Sequence, residues 1–348
     1  MVLLVNILIV YLITSMIFKI SLKHKKISFY VNFIILTLIT GSVYERIGGG
    51  GDYDNYRNIF QYMKIGSELP DKEVVFYYLN MMIKIFTDNF YIAFLIFMAI
   101  VNYFVLKIIY KYSENVEASI LIYVIVGGYT IATNIVRQFL AAAIYFYSLK
   151  YLLDKKYIRY ILINVVALGF HSTVALPVVL SIVVFICNDK LNRHLFLYIV
   201  MINLLIVIEP IIMSIGTEFV SDAYKEGSFN YGSSILHYIV QLAFCIFYYL
   251  NKKYITSFKD KFFVNMSIFS LGFTLISSRM VLYARLASYF NLFHSIATVN
   301  VLLANNNVKE KRVLAYFISL GIAIYYLLLI KPGLNQWYNY IIDFITIY

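Results

Sequence analysis

Residues 90–106 read FYIAFLIFMAIVNYFVL, seventeen residues without a charge, with Asn102 as the one amide and Lys107 closing the run. As a helix, a segment of about 20 apolar residues matches the hydrocarbon thickness of a bilayer. The whole chain repeats this pattern. Of its 348 residues 62% are hydrophobic and 14% charged, where an ordinary globular domain carries about 25% charge. Mean hydropathy is +0.78. So little charge cannot cover a water-facing surface, which excludes soluble enzymes and nucleic-acid modules and makes lipid the solvent for most of the chain.

Working outward from residue 90, comparable runs lie at 2–20, 28–44, 117–131, 134–152, 157–170, 172–187, 195–215, 234–250, 262–278, 284–303 and 313–330. The expected fold class is all-α, a polytopic membrane protein of about 12 transmembrane helices (range about 10–12). Residues 1–348 are expected to form a single integral membrane domain. The runs at 117–131, 157–170 and 172–187 are short, which suits half-helices or a re-entrant pair. Backbone that breaks at membrane depth is tolerated only where protein or a water-filled cavity covers it. Residues 2–20 have no basic segment before them and no small-residue cleavage site after them, so they are expected to be retained as a span.

The net charge of +11 would point to an anionic polymer in a soluble protein, but here it reads as an orientation signal. With the first run starting outside, the inner loops hold Lys19, Lys23, Lys25 and Lys26; Lys107 and Lys111; Lys150, Lys155, Lys156 and Arg159. They continue with Lys190 and Arg193; Lys252, Lys253, Lys259 and Lys261; Lys309, Lys311 and Arg312. These are 19 of the 29 basic residues, so the positive-inside rule places these loops in the cytoplasm and both termini outside. Outside lies the longest polar stretch, followed by Val74, Val75, Tyr78, Met81, Met82 and Ile85 at helical spacing. Residues 45–86 are thus expected to be an external loop plus an amphipathic interfacial helix. A second external loop is expected at 217–233, and Trp337, Tyr338 and Tyr340 suit the aromatic belt. Cys187 and Cys245 sit in apolar runs and have neither disulfide nor metal-site spacing.

The ten remaining basic residues include five arginines, Arg46, Arg57, Arg137, Arg279 and Arg285. A charge at a helix end near lipid calls for a partner or a ligand, and the planar guanidinium suits two-point recognition of phosphate or carboxylate. Arg137 and Gln138 stand in the first turn of a helix, where backbone N–H groups and the helix dipole also favour an anion. Snorkelling to the outer headgroups is the alternative for Arg137, as it is for Arg279 and Arg285, which flank a helix connection. His171 follows Gly169 and Phe170 between two short runs. There an imidazole can take a proton from an attacking hydroxyl, or hydrogen-bond a carbonyl to hold the hairpin. His237 and His294, inside apolar runs, suit core or interhelical roles.

Gly48 to Gly51 lead into Asp52, Tyr53, Asp54, Asn55 and Tyr56. The two carboxylates resemble the metal-binding Asp-x-Asp of nucleotide-sugar transferases, but nucleotide sugars are cytoplasmic and this loop is placed outside. Asp52 or Asp54 therefore suits sugar hydroxyls or an arginine rather than a metal, with the glycines permitting close backbone approach to a ligand; a plain surface turn is the alternative. No Walker A, zincin, Gly-x-Ser-x-Gly or dinucleotide pattern is present.

Together these patterns resemble the EpsG/Wzy group of polysaccharide polymerases. The residues that carry the resemblance are Arg46 with the following glycines, Asp52-Tyr53-(x2)-Tyr56, and Glu73 opening the amphipathic helix. They continue with Val136-Arg137-Gln138-(x2)-Ala141, Gly169-Phe170-His171-(x2)-Val174-Ala175, and Arg279 and Arg285 with Tyr289. The resemblance implies a helical fold related to lipid-linked (GT-C-like) glycosyltransferases and a multi-pass protein of the bacterial inner membrane. Such an enzyme would join undecaprenyl-diphosphate-linked oligosaccharide repeat units into a surface polysaccharide at the periplasmic or extracellular face. It would need no cofactor and bind no nucleic acid, and its partners would include a flippase and chain-length regulator proteins. On this resemblance His171 and Asp52 are the candidate bases. Arg46, Asp54, Tyr56, Arg57, Glu73, Arg137, Gln138, Arg279, Arg285 and Tyr289 would contact substrate, with Arg137, Arg279 and Arg285 on the leaving diphosphate.

Two other readings fit the hydropathy. A lipid-linked oligosaccharide flippase should carry charges deep in both halves of the chain, and usually internal repeats, whereas here the unusual charges collect at one face. A different lipid-linked transferase, such as a polysaccharide ligase or a membrane acyltransferase, would change the donor. A cytoplasmic acyl-CoA donor would put the histidine and arginines inside.

Overall fold

A backbone in lipid must satisfy its own hydrogen bonds, and within one segment only a helix does so. In the computed structural model every described element is helical. The structure describes residues 25–41, 52–63, 73–126, 128–204, 207, 235–277 and 281–304. The expected spans at 2–20 and 313–330 and the loop at 217–233 lie outside the described residues, as do Arg46 and Arg279.

In chain order the α-helices are α1 (Lys25–Gly41), α2 (Asp52–Tyr62), α3 (Val74–Lys84), α4 (Phe90–Tyr112), α5 (Val116–Ile125), α6 (Gly128–Ala132), α7 (Val136–Leu153) and α8 (Tyr157–Phe170). After a 3-10 turn at Ser172–Val174 come α9 (Ala175–Arg193), α10 (Leu195–Asn203), α11 (Ile235–Leu250), α12 (Phe258–Ile276) and α13 (Val281–Ala304). Three described stretches are long and apolar enough to cross a bilayer: Phe90–Tyr112, Ser172–Arg193 and Leu282–Ala304. Two differences from the sequence reading have local causes. The run at 117–131 is divided between α5 and α6, where a Cβ on Gly128 would fall 2.2 Å from the Tyr123 ring and 2.7 Å from its carbonyl oxygen. Within the stretch read as loop, α2 forms because Tyr53, Tyr56 and Phe60 recur at helical spacing and are all buried. Tyr53 meets Phe90 and Phe94 of α4 edge-on, at 5.3 and 5.1 Å between ring centroids.

The chain divides into two compact units. The first holds α1 to α8. Its centre is α7, buried almost all round, where Ala141, Ala142 and Ala143 let neighbouring helices approach closely. Polar side chains bond across its helices: Asn102 donates to Thr40 at 3.0 Å and Asn164 to Ser148 at 2.9 Å. At one end the Tyr110 hydroxyl of α4 meets Ser28 and Asn32 of α1 at 2.7 and 2.8 Å, and Lys111 pairs with Asp154 at 2.8 Å. That end gathers Lys25, Lys26, Lys107, Lys111, Lys150, Lys155, Lys156 and Arg159 around the start of α1, the end of α4 and the α7–α8 turn. The opposite end holds the starts of α4 and α7 and the end of α8.

The second unit holds α9 to α13, with α12 buried along its length. Ser257 caps α12, its hydroxyl accepting from the Asp260 N–H at 3.0 Å. Near that cap Lys261 pairs with Asp189 at 2.7 Å and Asn188 donates to the Phe258 carbonyl at 2.7 Å. The described lysines of this unit gather at the start of α12 and the ends of α9 and α11. Arg285 stands in the first turns of α13, at the other end of the α12–α13 hairpin.

Candidate functional site

In the first unit, the end away from the lysines brings Tyr56, Glu73, Arg137 and His171 together from four separate stretches of chain. Gly169 sets the spacing. A Cβ at that position would fall 2.2 Å from Cγ2 of Val75, so only glycine lets α3 lie this close to the last turn of α8. Glu73, two residues before Val75, is thereby carried to His171, one residue past the end of α8. Glu73 caps α3 in the left-handed region, with φ 62° and ψ 37°. A side chain with a Cβ rarely adopts this conformation. His171 is extended; its N–H donates to the Ala167 carbonyl at 3.1 Å, and its own carbonyl accepts from Val174 at 3.3 Å.

The Glu73 carboxylate joins the group. Its Oε2 accepts from Nη1 of Arg137, and its Oε1 lies 2.5 Å from Nδ1 of His171. The Arg137 guanidinium sits over the Tyr56 and Phe76 rings, 5.4 and 6.0 Å from their centroids, a geometry in which the ring quadrupole attracts the cation. Exposure grades the group: the Glu73 side chain is 15% exposed, His171 21% and Arg137 36%. Burial alone would raise the Glu73 carboxyl, but the His171 hydrogen bond and the charge and hydrogen bond of Arg137 outweigh it and hold the group below its ordinary value. Glu73 is therefore ionised at neutral pH. The arrangement sets a proton acceptor beside a guanidinium fork, with the more exposed of the two being the cation.

The other candidates fall elsewhere. Asp52 is the first residue of α2. Asp54 and Arg57 pair with each other along α2 at 3.5 Å, with side chains 63% and 32% exposed. Gln138 follows Arg137 but is buried in the packing of α7. Arg285 and Tyr289 belong to the second unit, Arg285 half-buried and Tyr289 fully buried on α13. Among the described residues no three His, Cys, Asp or Glu side chains form a group that could hold a metal ion. Phe76 was missed by the sequence reading. Its signal is an aromatic one turn after Glu73 on the buried side of an amphipathic helix.

A family model described as the EpsG family matches residues 26–342. No curated protein and no solved structure matches the chain.

Proposed function

The chain belongs to the EpsG family, the family of Wzy-type polysaccharide polymerases, and from that premise we propose that it joins undecaprenyl-diphosphate-linked oligosaccharide repeat units by glycosyl transfer at the outer face of the inner membrane. The observation that carries this reading is the Glu73–Arg137–His171 group, held at the end of the first unit opposite Lys25, Lys26, Lys107, Lys111, Lys150, Lys155, Lys156 and Arg159. The positive-inside rule supports a cytoplasmic place for the lysines and hence an outer place for the group. Lipid-linked repeat units, once translocated, are presented on that side.

In the proposed step His171 takes the proton of an acceptor hydroxyl through Nε2. The hydroxyl oxygen attacks the anomeric carbon of the donor sugar as the bond from that carbon to the diphosphate oxygen breaks. The electron pair leaves with the lipid diphosphate, and the proton stays on the imidazole until solvent or the leaving group takes it. Arg137, the most exposed member of the group, meets the charge that grows on the diphosphate; such fixed charges act most strongly where water is excluded. Arg46, Arg279 and Arg285 are further candidates for that anion, and Asp52 for the base. Asp54, Tyr56, Arg57, Gln138 and Tyr289 are proposed to position sugar, directly or through their neighbours. A flippase supplying the repeat unit and a chain-length regulator would be its working partners.

The test is to incubate the protein, reconstituted in liposomes, with a lipid-linked repeat unit and resolve the products. A ladder of lipid-linked oligomers is expected. Transfer of unpolymerised repeat unit across the bilayer without a ladder would favour the flippase, and transfer to a foreign acceptor would favour a ligase.

A further inference from the structure

Glu73 was read from the sequence as a substrate contact, yet its two carboxylate oxygens are both engaged, one by Arg137 and one by His171, and its side chain is largely covered. Its backbone is held in the left-handed region to aim it there, and the Gly169–Val75 contact fixes the height of α3 against α8. We infer that Glu73 is a positioning residue: its carboxylate takes the Nδ1 proton of His171, so that Nε2 is the proton acceptor, and its other oxygen holds the Arg137 fork in place beside it.

A neutral imidazole carries one N–H, and the hydrogen bond made by one ring nitrogen decides which form the other takes. Facing an ionised carboxylate, Nδ1 has to be the donor. The lone pair is then on Nε2, to which no described residue hydrogen-bonds, and the carboxylate stabilises the imidazolium once a proton is taken. The titratable and charged groups that face His171 and its partner are Glu73 from α3, Arg137 from α7 and Tyr56 from α2. Arg137 balances the Glu73 charge, so the group ahead of substrate binding holds one anion, one cation and one base. A carboxylate left exposed beside a diphosphate would repel it; turned inward between Arg137 and His171, Glu73 does not.

The inference rests on the polymerase reading, so its test needs one readout that reports polymerisation and one that does not. Glu73→Gln keeps size and hydrogen bonding but removes the charge. It is expected to lower kcat for ladder formation by about 100-fold, the scale of a misplaced reacting group. KM for the lipid-linked unit is expected to stay within about twofold, because the lost interaction is not one of substrate binding. In a His171→Ala background Glu73→Gln is expected to cost much less than it does alone, only the part that passes through Arg137. A raised KM with kcat kept, or a double variant that loses the product of both single losses, overturns the inference. Should Glu73→Gln fail to accumulate in membranes, Glu73→Asp, which keeps the charge but is one methylene shorter, is expected to lower kcat with KM kept. Independently of activity, selective ¹⁵N-histidine spectra of the wild type, with His171→Ala identifying the signal, are expected to show the Nδ1-protonated form of His171. A neutral His171 protonated on Nε2 overturns the inference even if polymerisation is robust. A wild type that forms no ladder overturns the polymerase reading and leaves the spectrum to decide on Glu73.

Discussion

His171 in the first unit and His294 in the second are both histidines in helical packing, but their surroundings differ in kind. His294 on α13 is fully buried and stacks on Phe244 at 4.4 Å. Its Nδ1 meets the Tyr248 hydroxyl at 2.8 Å and its Nε2 the Ser270 hydroxyl at 2.8 Å. Those hydroxyls continue to Thr298 at 2.9 Å and Gln241 at 2.7 Å. One donor and one acceptor are thus satisfied by uncharged partners, which is how a buried polar group is accommodated. His171 instead has a carboxylate on one nitrogen, partial exposure and an arginine alongside. The difference teaches that a neutral network satisfied on both sides ties helices together, whereas a charged group satisfied on one side is available to a ligand.

The sharpest way to break this comparison is to truncate each histidine. His171→Ala is expected to lower the polymerisation rate by about 10²- to 10⁴-fold, the usual worth of a positioned base, with the thermal midpoint in detergent nearly unchanged. His294→Ala should do the reverse. It leaves the Tyr248 and Ser270 hydroxyls facing a cavity, at a cost of about 2–4 kcal/mol, while the protein that remains folded polymerises at the wild-type rate. Equal loss of activity from both, at unchanged stability, would give the second network a part in the reaction. Next in size, Arg137→Lys keeps the charge but not the fork. A loss of about 10- to 100-fold is expected, the worth of one or two hydrogen bonds to a charged group.

The packing that makes the first unit's site can be tested through Gly169. Gly169→Ala places a methyl against Val75, and overpacking of this kind costs about 1–3 kcal/mol. Because the displaced element carries Glu73, the ladder assay should fall further than stability does. Val75→Ala, which removes the clashing Cγ2, should recover part of both in a double-mutant cycle.

The sequence carried the helices better than their meeting points. Apolar runs at 134–152, 157–170 and 284–303 correspond to α7, α8 and α13 within a few residues, because a helix in lipid is set by local hydropathy alone. Val74, Val75 and Met81 announced α3 in the same way. His294 was read as a core or interhelical residue, and it is one. The pairing of Glu73 with His171 was not legible, since 98 residues separate them and the contact depends on a glycine making room for a valine on another helix. Arg57 and Arg137 look alike in sequence, yet one pairs with a carboxylate on its own helix and the other with one brought in from α3. α2 was hidden because its polar residues outweigh the Tyr53, Tyr56 and Phe60 face that buries it.

Acid should act more gently, through the Glu73 carboxylate. The folded Glu73 carboxyl lies below its ordinary value of 4.5. Its contribution to stability is therefore complete above that value and is lost as pH falls through the depressed one. The share of the acid dependence that this carboxylate supplies should therefore be removed by Glu73→Gln. Midpoints measured from neutral pH down through the carboxylate range give the test; an unchanged slope in Glu73→Gln would place the dependence elsewhere.

The smallest effect is expected where the two units are most alike, at their lysine-rich ends. Lys111–Asp154 and Lys261–Asp189 are well-formed pairs at 2.8 and 2.7 Å, but their members are 38% and 35% exposed in the first unit and 23% and 63% in the second. Exposed pairs of this type contribute about 0–1 kcal/mol, since water screens the attraction and ordering two side chains costs entropy. Double-mutant cycles on either pair should therefore return coupling below about 1 kcal/mol, similar in the two units. If the lysines act chiefly through the count of positive charge on one side of the membrane, Lys111→Gln and Lys261→Gln will leave orientation unchanged, because each end keeps its remaining lysines. A cysteine placed at Asp154 should then be labelled from the cytoplasmic side in all of these variants. Labelling from the opposite side in the otherwise wild-type chain would reverse the orientation on which the outer placement of Glu73, Arg137 and His171 depends.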